Sequence, residues 1–359
     1  MIVPSSTSNS KTRCPSLPYA TLWVSVISLI VFFLSMSEIY WRNKGFLPNI
    51  VDSKLFWSEH RHRVYSKNGH KKIVIVGTSR AQLGIDPTIL NETFPEFETI
   101  HLAIDGALPF EVIKDLCTDP NFDGIILADV TVPFLCVTDS ISKQKELEYI
   151  AYYHNTFQKV ASLEKRMNAS MGVLLQSNFV IFSPVLVFKS LLYNRLHPNK
   201  LYFHMQKNRF RPAFYYDRLT SEELRDHRTK RINNITKNEI TRIPSSKFEY
   251  IAQEDLKPLY AQLSKRGGNM VLVRMPTTGT HWEIDEQMAP KATYWDKLQT
   301  LSGIPTIHFM DNKTLSQFDC PDTSHLDAHD VPDFTRNLSH IVREKLYRDP
   351  THTHREHIP

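Results

Sequence analysis

Acyl transfer is carried out by a hydroxyl, an imidazole and a carboxylate acting together, and this chain holds one of each where a fold can join them. The hydroxyl is Ser79, within residues 71–87, KKIVIVGTSRAQLGIDP. An apolar, β-branched run at 73–76 stops at Gly77. Thr78, Ser79 and Arg80 follow, and a helix-like pattern resumes around 81–83. A short buried strand that breaks at glycine and small hydroxyl residues is how an open α/β sheet offers a reactive side chain at its carboxyl edge. Gly-x-Ser alone also describes a strand entering an ordinary polar turn. The other two groups lie far downstream, in CPDTSHLDAHD at 320–330, where Asp322 and His325 stand three apart. In a loop or first helical turn that spacing puts both side chains on one side. The carboxylate then fixes the ring tautomer while the second nitrogen faces a serine. Asp327, His329 and Asp330 compete for the same assignment, and His101 reads as a core or edge histidine.

A serine on the first strand and Asp-x-x-His after the last one resembles the SGNH (GDSL-like) hydrolase family, where those two blocks form a catalytic triad. The first block reads Gly77-Thr78-Ser79-Arg80 rather than Gly-Asp-Ser. That form is similar to membrane-anchored SGNH-like proteins associated with O-acylation of extracytoplasmic glycans. The resemblance spans roughly residues 71–343, with a large middle insertion peculiar to this chain. It implies Ser79 as nucleophile, His325 as base and Asp322 as its orienting carboxylate. It also implies an oxyanion hole of the Ser79 and Gly106 amides. The family's third block places Gly-x-Asn at the sheet edge, whereas this chain has Ala128-Asp129-Val130-Thr131. Thr131 or an unidentified donor then completes the hole, or the hole is smaller; losing one such donor typically costs on the order of 100- to 1000-fold in rate.

Five strand candidates, at 73–76, 99–104, 124–130, 269–275 and 306–310, alternate with helical patterns. The expected fold is α/β: a three-layer α/β/α, flavodoxin-like, parallel five-stranded sheet with helices on both faces. Sites in such sheets lie at the carboxyl ends of strands, and Ser79, Gly106, Thr131 and the Asp322/His325 pair all map to that edge. Arg80, Arg274 and Trp282 are candidate substrate contacts there, structural support being the plainer role for the last two. Before the domain, residues 1–18 read as a disordered tail. From 14 to 37 there is no charged residue, and YATLWVSVISLIVFFLSM supplies about the 20 apolar residues a bilayer-crossing helix needs. We therefore expect a transmembrane signal anchor over 19–41 and a spacer over 42–70. The α/β domain follows over 71–347 with a helical insertion at about 140–250, then a disordered tail at 348–359. A second apolar stretch at 171–192 is interrupted by Gln176, Asn178, Pro184 and Lys189, which favours a helix packed on the domain or lying at the bilayer surface. Basic stretches at 207–211 and 225–231 mix with Tyr202, Phe203, Phe210, Phe214, Tyr215 and Tyr216. They read as a groove for carbohydrate or anionic polymer, or simply as a solvated helical face.

A net charge of +5 with no long basic stripe argues against nucleic acid as a partner. Cys14, Cys117, Cys136 and Cys320 lack zinc-type spacing, so neither metal nor cofactor is expected. Cys117 and Cys136 can pair in an oxidising compartment or remain buried thiols. Lys11 and Arg13 precede the apolar span and Arg42, Lys44 and Lys54 follow it, close to a tie in orientation. The resemblance alone puts the domain outside the cytoplasm, as a single-pass protein. Two functions follow: a serine esterase or O-acyltransferase acting on acyl (acetyl) esters of cell-envelope glycan beside a multispanning membrane acyltransferase, or a non-catalytic glycan-binding scaffold for such a partner. A phosphate-binding reading of the Gly77-to-Arg80 turn lacks the longer glycine-rich loop and lysine of a P-loop.

Overall fold

The central strands of this chain carry unbroken apolar runs, at 73–76, 125–128 and 270–273, which a strand tolerates only when both its faces are covered. The computed structural model describes residues 19–66, 69–137, 140–160, 163–183, 201–237 and 240–347, so the expected terminal tails lie outside the described residues. Strands β1 (Lys71–Val76), β2 (Phe97–His101), β3 (Ile125–Asp129), β4 (Asn269–Arg274) and β5 (Thr306–His308) form one parallel sheet in the order β2-β1-β3-β4-β5. This is the flavodoxin-like order, with its topological switch between β1 and β3. Alternate residues feed two separate cores. Val74, Val76, Ile126, Ala128, Met270 and Leu272 face one side; Ile73, Ile75, Ile125, Leu127, Val271 and Val273 face the other.

Helices Phe110–Thr118, Lys257–Ser264 and Trp295–Ser302 close the first core through Val112, Ile113, Leu116, Leu263, Trp295 and Leu298. Helices Ser79–Gly84, Pro87–Thr93 and Val331–Tyr347 close the second; the last contributes Phe334, Leu338, Val342 and Leu346 at four-residue spacing, one helical face. The fifth strand is shorter than its apolar pattern because the His308 ring accepts the Met310 N–H and turns Phe309–Asp311 into a 3₁₀ turn.

The chain divides into Met1–Phe46 and Leu47–Pro359. In the first unit the helix Tyr19–Asn43 is 25 residues long and apolar enough to cross a membrane, roughly 37 Å at 1.5 Å per residue. In the second unit, the expected spacer is corrected. Ser53 caps the helix Lys54–Arg63, whose Trp57 is wholly buried in the first core and donates its indole N–H to the Leu102 carbonyl at 2.9 Å. Arg61, also buried, pairs with Asp115 and Asp119 at 2.9 Å each. So polar a helix is held by Phe56, Trp57, His60 and Arg61, half of them polar, which leaves no apolar periodicity to read.

The insertion packs into the same domain. Helix Ile141–Tyr152 and the π turn Tyr153–Phe157 bury Tyr149, Tyr153 and Phe157 in the first core. The helix Leu163–Asn178 gives way to a 3₁₀ turn at Val180–Phe182, so residues 171–183 are not one continuous helix; residues 184–200 lie outside the described residues. Cys117 and Cys136 are separate buried thiols, correcting the expected alternative of a disulfide.

Glu146 on the helix Ile141–Tyr152 is fully buried, and its Oε1 accepts the Val112 N–H at 2.7 Å. It thereby caps the helix Phe110–Thr118, whose own N-cap, Pro109, offers no side-chain acceptor. Burial pushes its carboxyl from 4.5 up to about 8, against the pull of the Val112 and Glu111 backbone N–H groups. A carboxyl raised on folding contributes stability below its unfolded value and loses it as pH rises through the folded value. In thermal unfolding of the full chain in detergent, this carboxyl should therefore pull the midpoint down progressively as pH rises from 4.5 to about 8. Glu146→Gln should remove that contribution, gaining on the unaltered chain by on the order of 1.4 kcal/mol per pH unit between the unfolded and folded values and no further above them. Parallel profiles would deny Glu146 this role.

Candidate active site

Ser79 owes its position to a turn that only glycine allows. A Cβ on Gly77 would stand 2.7 Å from the Ala81 Cβ and 2.9 Å from the Asp129 Cβ, so the ends of β1 and β3 approach too closely for any side chain. Thr78 then caps the helix Ser79–Gly84 by accepting the Arg80 N–H, which leaves Ser79 as the first helical residue.

The downstream block reaches the same edge through a strained turn. Thr323 has φ +74°, a left-handed conformation rare for a β-branched residue. The turn lets Asp322 Oδ1 accept the N–H groups of Ser324 (3.0 Å) and His325 (2.8 Å), while Oδ2 lies 2.8 Å from His325 Nδ1. His325 Nε2 lies 2.8 Å from Ser79 Oγ. With Nδ1–H donated to the carboxylate, Nε2 is left to accept from the serine hydroxyl.

Two further groups converge on Asp322 Oδ2: the Tyr215 hydroxyl at 3.0 Å and Arg231 Nη2 at 2.6 Å. Burial alone would raise this carboxyl, but His325, Arg231 and the Ser324 N–H hold it well below the usual carboxylate range. Tyr215 and Arg231 belong to the aromatic and basic stretches of the insertion, and nothing in their spacing marked them out. The competing acids explain how they arrive. Asp327 accepts the N–H groups of Tyr215 (2.8 Å) and Tyr216 (3.3 Å), tying the insertion to the last block. His329 pairs with Asp217 at the surface, and His101, fully buried, bonds to the Ala81 carbonyl.

A cavity of about 340 Å³ opens over the β1/β3 switch, lined by Ser79, Arg80, Gly106, Thr131, Phe134 and His281 among others. Gly106 has φ +66°, and its N–H has no partner among the described residues. Thr131 lies on the wall, but its hydroxyl oxygen accepts the Phe134 N–H as a helix cap, leaving only its proton for another acceptor. Asp129 is wholly buried, takes a bond from the Thr78 hydroxyl at 3.3 Å and lies under the Gly77 turn rather than on the wall. Burial raises its carboxyl, against the pull of Arg80 and Arg274.

Of the three expected substrate contacts, Arg80 lines the cavity and the other two are corrected. Arg274 folds back beneath the loop after β4, where Asp285 and Thr277 take its guanidinium. Trp282 packs edge-on against His308 and Phe309. His281 occupies the wall instead, and burial, then Arg80, lowers its ring to about 3. Among the described residues, no cluster of three metal-ligating side chains occurs.

No family model matches the chain, and no curated protein matches it. Comparison with solved structures gives a candidate arylesterase from Agrobacterium tumefaciens str. C58, 10% identical, covering 76% of this chain and 99% of that one with a TM-score of 0.35. At that score the likeness carries no argument here.

Gly77→Ala should destabilise the chain by about 1–3 kcal/mol through overpacking against Ala81 and Asp129. Gly172→Ala, in a helix and with no heavy atom within 4 Å of the added Cβ, should instead stabilise it by roughly 0.5–1 kcal/mol. Thermal melts of both variants check the pair, and a neutral Gly77→Ala would disprove the tight turn.

Proposed function

We propose that this chain is a membrane-anchored serine esterase or O-acyltransferase of the SGNH (GDSL-like) type, acting on acyl esters of an extracytoplasmic glycan. The observation that carries the reading is the unbroken hydrogen-bonded path from Asp322 through His325 to Ser79, ending in a cavity at the carboxyl edge of the sheet. In this reading Ser79 Oγ attacks the ester carbonyl carbon as its proton passes to His325 Nε2. Asp322 holds the ring and stabilises the imidazolium. The oxyanion is received by the Ser79 N–H, which as the first of its helix has no intrahelical acceptor, and by the Gly106 N–H. The Thr131 hydroxyl proton is the remaining donor within the cavity. Collapse breaks the ester C–O bond, His325 returns the proton to the departing alcohol, and acyl-Ser79 remains. Water then makes the protein an esterase; a sugar hydroxyl makes it a transferase.

The apolar helix Tyr19–Asn43 would tether the domain to the bilayer and so to cell-envelope glycan, with a multispanning acyltransferase as supplier of acyl groups. A second reading, a glycan-binding scaffold, is favoured by one observation: Asp129, where the family has its oxyanion asparagine nearby, is buried away from the cavity. A fluorophosphonate probe and 4-nitrophenyl acetate separate the two readings. The enzyme reading expects labelling and turnover by the full chain, both abolished by Ser79→Ala and His325→Ala, and a fall in kcat/KM of roughly 10³- to 10⁴-fold for Asp322→Asn. A folded chain that neither labels nor turns over would be the scaffold.

A further inference from the structure

Three arginines converge around the cavity, and two are neutralised. Arg231 is met by Asp322 at 2.6 Å, and Arg274 by Asp285. Arg80 is not. It is 6% exposed, and among the described residues no carboxylate lies within ion-pairing distance of it. Its Nε donates to the Ser324 hydroxyl at 3.1 Å, and Nη2 lies 3.3 Å from His281 Nε2, a neutral acceptor. The Phe134 ring covers the guanidinium at 5.4 Å. Its Nη1 is buried with no hydrogen-bond partner among the described residues. The acids nearby act on it only from a distance: Asp285 is hydrogen-bonded to Arg274 and Thr277, and Asp129, which feels the pull of Arg80, takes its bond among the described residues from Thr78.

A guanidinium cannot shed its charge, and burying one without a counter-ion is costly. Arg80 is also the residue next to the candidate nucleophile and part of the cavity wall. We propose that the ester bound here carries an oxyanion group, a carboxylate or phosphate, that pairs with Arg80. The position names the half of the ester that bears it. Arg80 is bonded to Ser324, the neighbour of His325, and His325 is the group that returns a proton to the departing oxygen; the anion therefore belongs to the alcohol portion. This inference rests on the ester reading above for the word "alcohol", but the preference for an anion does not.

The test compares 4-acetoxybenzoate with methyl 4-acetoxybenzoate, the same acyl group on an anionic and a neutral alcohol portion, each rate divided by its uncatalysed rate. The full chain should favour the anionic ester by roughly ten- to a hundred-fold in kcat/KM, the usual range for one charged hydrogen bond. Arg80→Gln should lower kcat/KM for the anionic ester at least tenfold more than for the neutral one. Calorimetric binding of 4-hydroxybenzoate against methyl 4-hydroxybenzoate gives the same comparison without turnover. If fluorophosphonate labelling fails but 4-hydroxybenzoate still binds more tightly than its methyl ester, the ester reading falls and the anion site stands. Equal handling of charged and neutral ligands by the unaltered chain overturns the proposal, whether or not Arg80→Gln folds. An equal loss on both esters in Arg80→Gln overturns it too, and makes Arg80 a support of the reacting centre.

Discussion

A carboxylate removed from water must have its lone pairs met by donors, and Asp322 meets that demand with five. They are the Ser324 and His325 amides, the His325 ring, the Tyr215 hydroxyl and Arg231. The donors come from three parts of the chain: the loop itself, the segment just before the helix Ser221–Thr236, and that helix. One buried charge thus fixes the last block's turn, orients the imidazole toward Ser79 and docks the insertion. The left-handed Thr323 is the strain accepted in return, about 1–2 kcal/mol, against charge-assisted hydrogen bonds of roughly 1.5–3 kcal/mol each.

That turn would be useless without a matching edge on the sheet. The reversal of strand order between β1 and β3 leaves a crevice at their carboxyl ends, and Gly77 lets the β1 exit pass against Asp129. Ser79 stands on one side of the crevice and Thr131 on the other, with Gly106 beyond the extension of β2. That extension keeps to β1 through Leu102 and Ile104, which bond to the carbonyls of Ile75 and Gly77. Trp57 and Arg209 grip the same segment through the Leu102 and Ala103 carbonyls. The helix and loop that brace the site's oxyanion side are therefore parts of the chain with little apolar pattern of their own.

The insertion contributes to both cores and chemistry. Its tyrosines complete the first core, and its arginines divide by what neutralises them. Arg209 is spent on Asp52 at 2.8 Å and Arg211 on Asp105 at 2.8 Å. Arg209 and Arg211 of the basic stretch 207–211 are thus scaffolding. Among the insertion's described arginines only Arg231, further along, reaches the cavity, where it shares Asp322 with the histidine. The unmatched charge at the cavity is Arg80, a residue of the serine block itself.

The fold was legible because both-sided burial writes itself as unbroken apolar runs, and those runs put five strands, alternating with helices, in the right order. The juxtaposition of Ser79 with His325 could be anticipated from the resemblance of the two blocks and because strand ends in a parallel sheet share one edge. The final helix, Val331–Tyr347, shows its buried face in the sequence too, as Phe334, Leu338, Val342 and Leu346 recur at helical spacing. Arg61 with Trp57, Tyr215 and Arg231 were not legible. Their places are set by single hydrogen bonds and ion pairs across long separations, and a bond of that kind leaves no period in the sequence. Arg274 and Trp282 went the other way, sequence neighbours of the site that the fold turned inward. A strand fixes where a side chain starts, whereas the nearest available carboxylate or aromatic cluster decides where a long one ends, and only the tertiary structure supplies those partners.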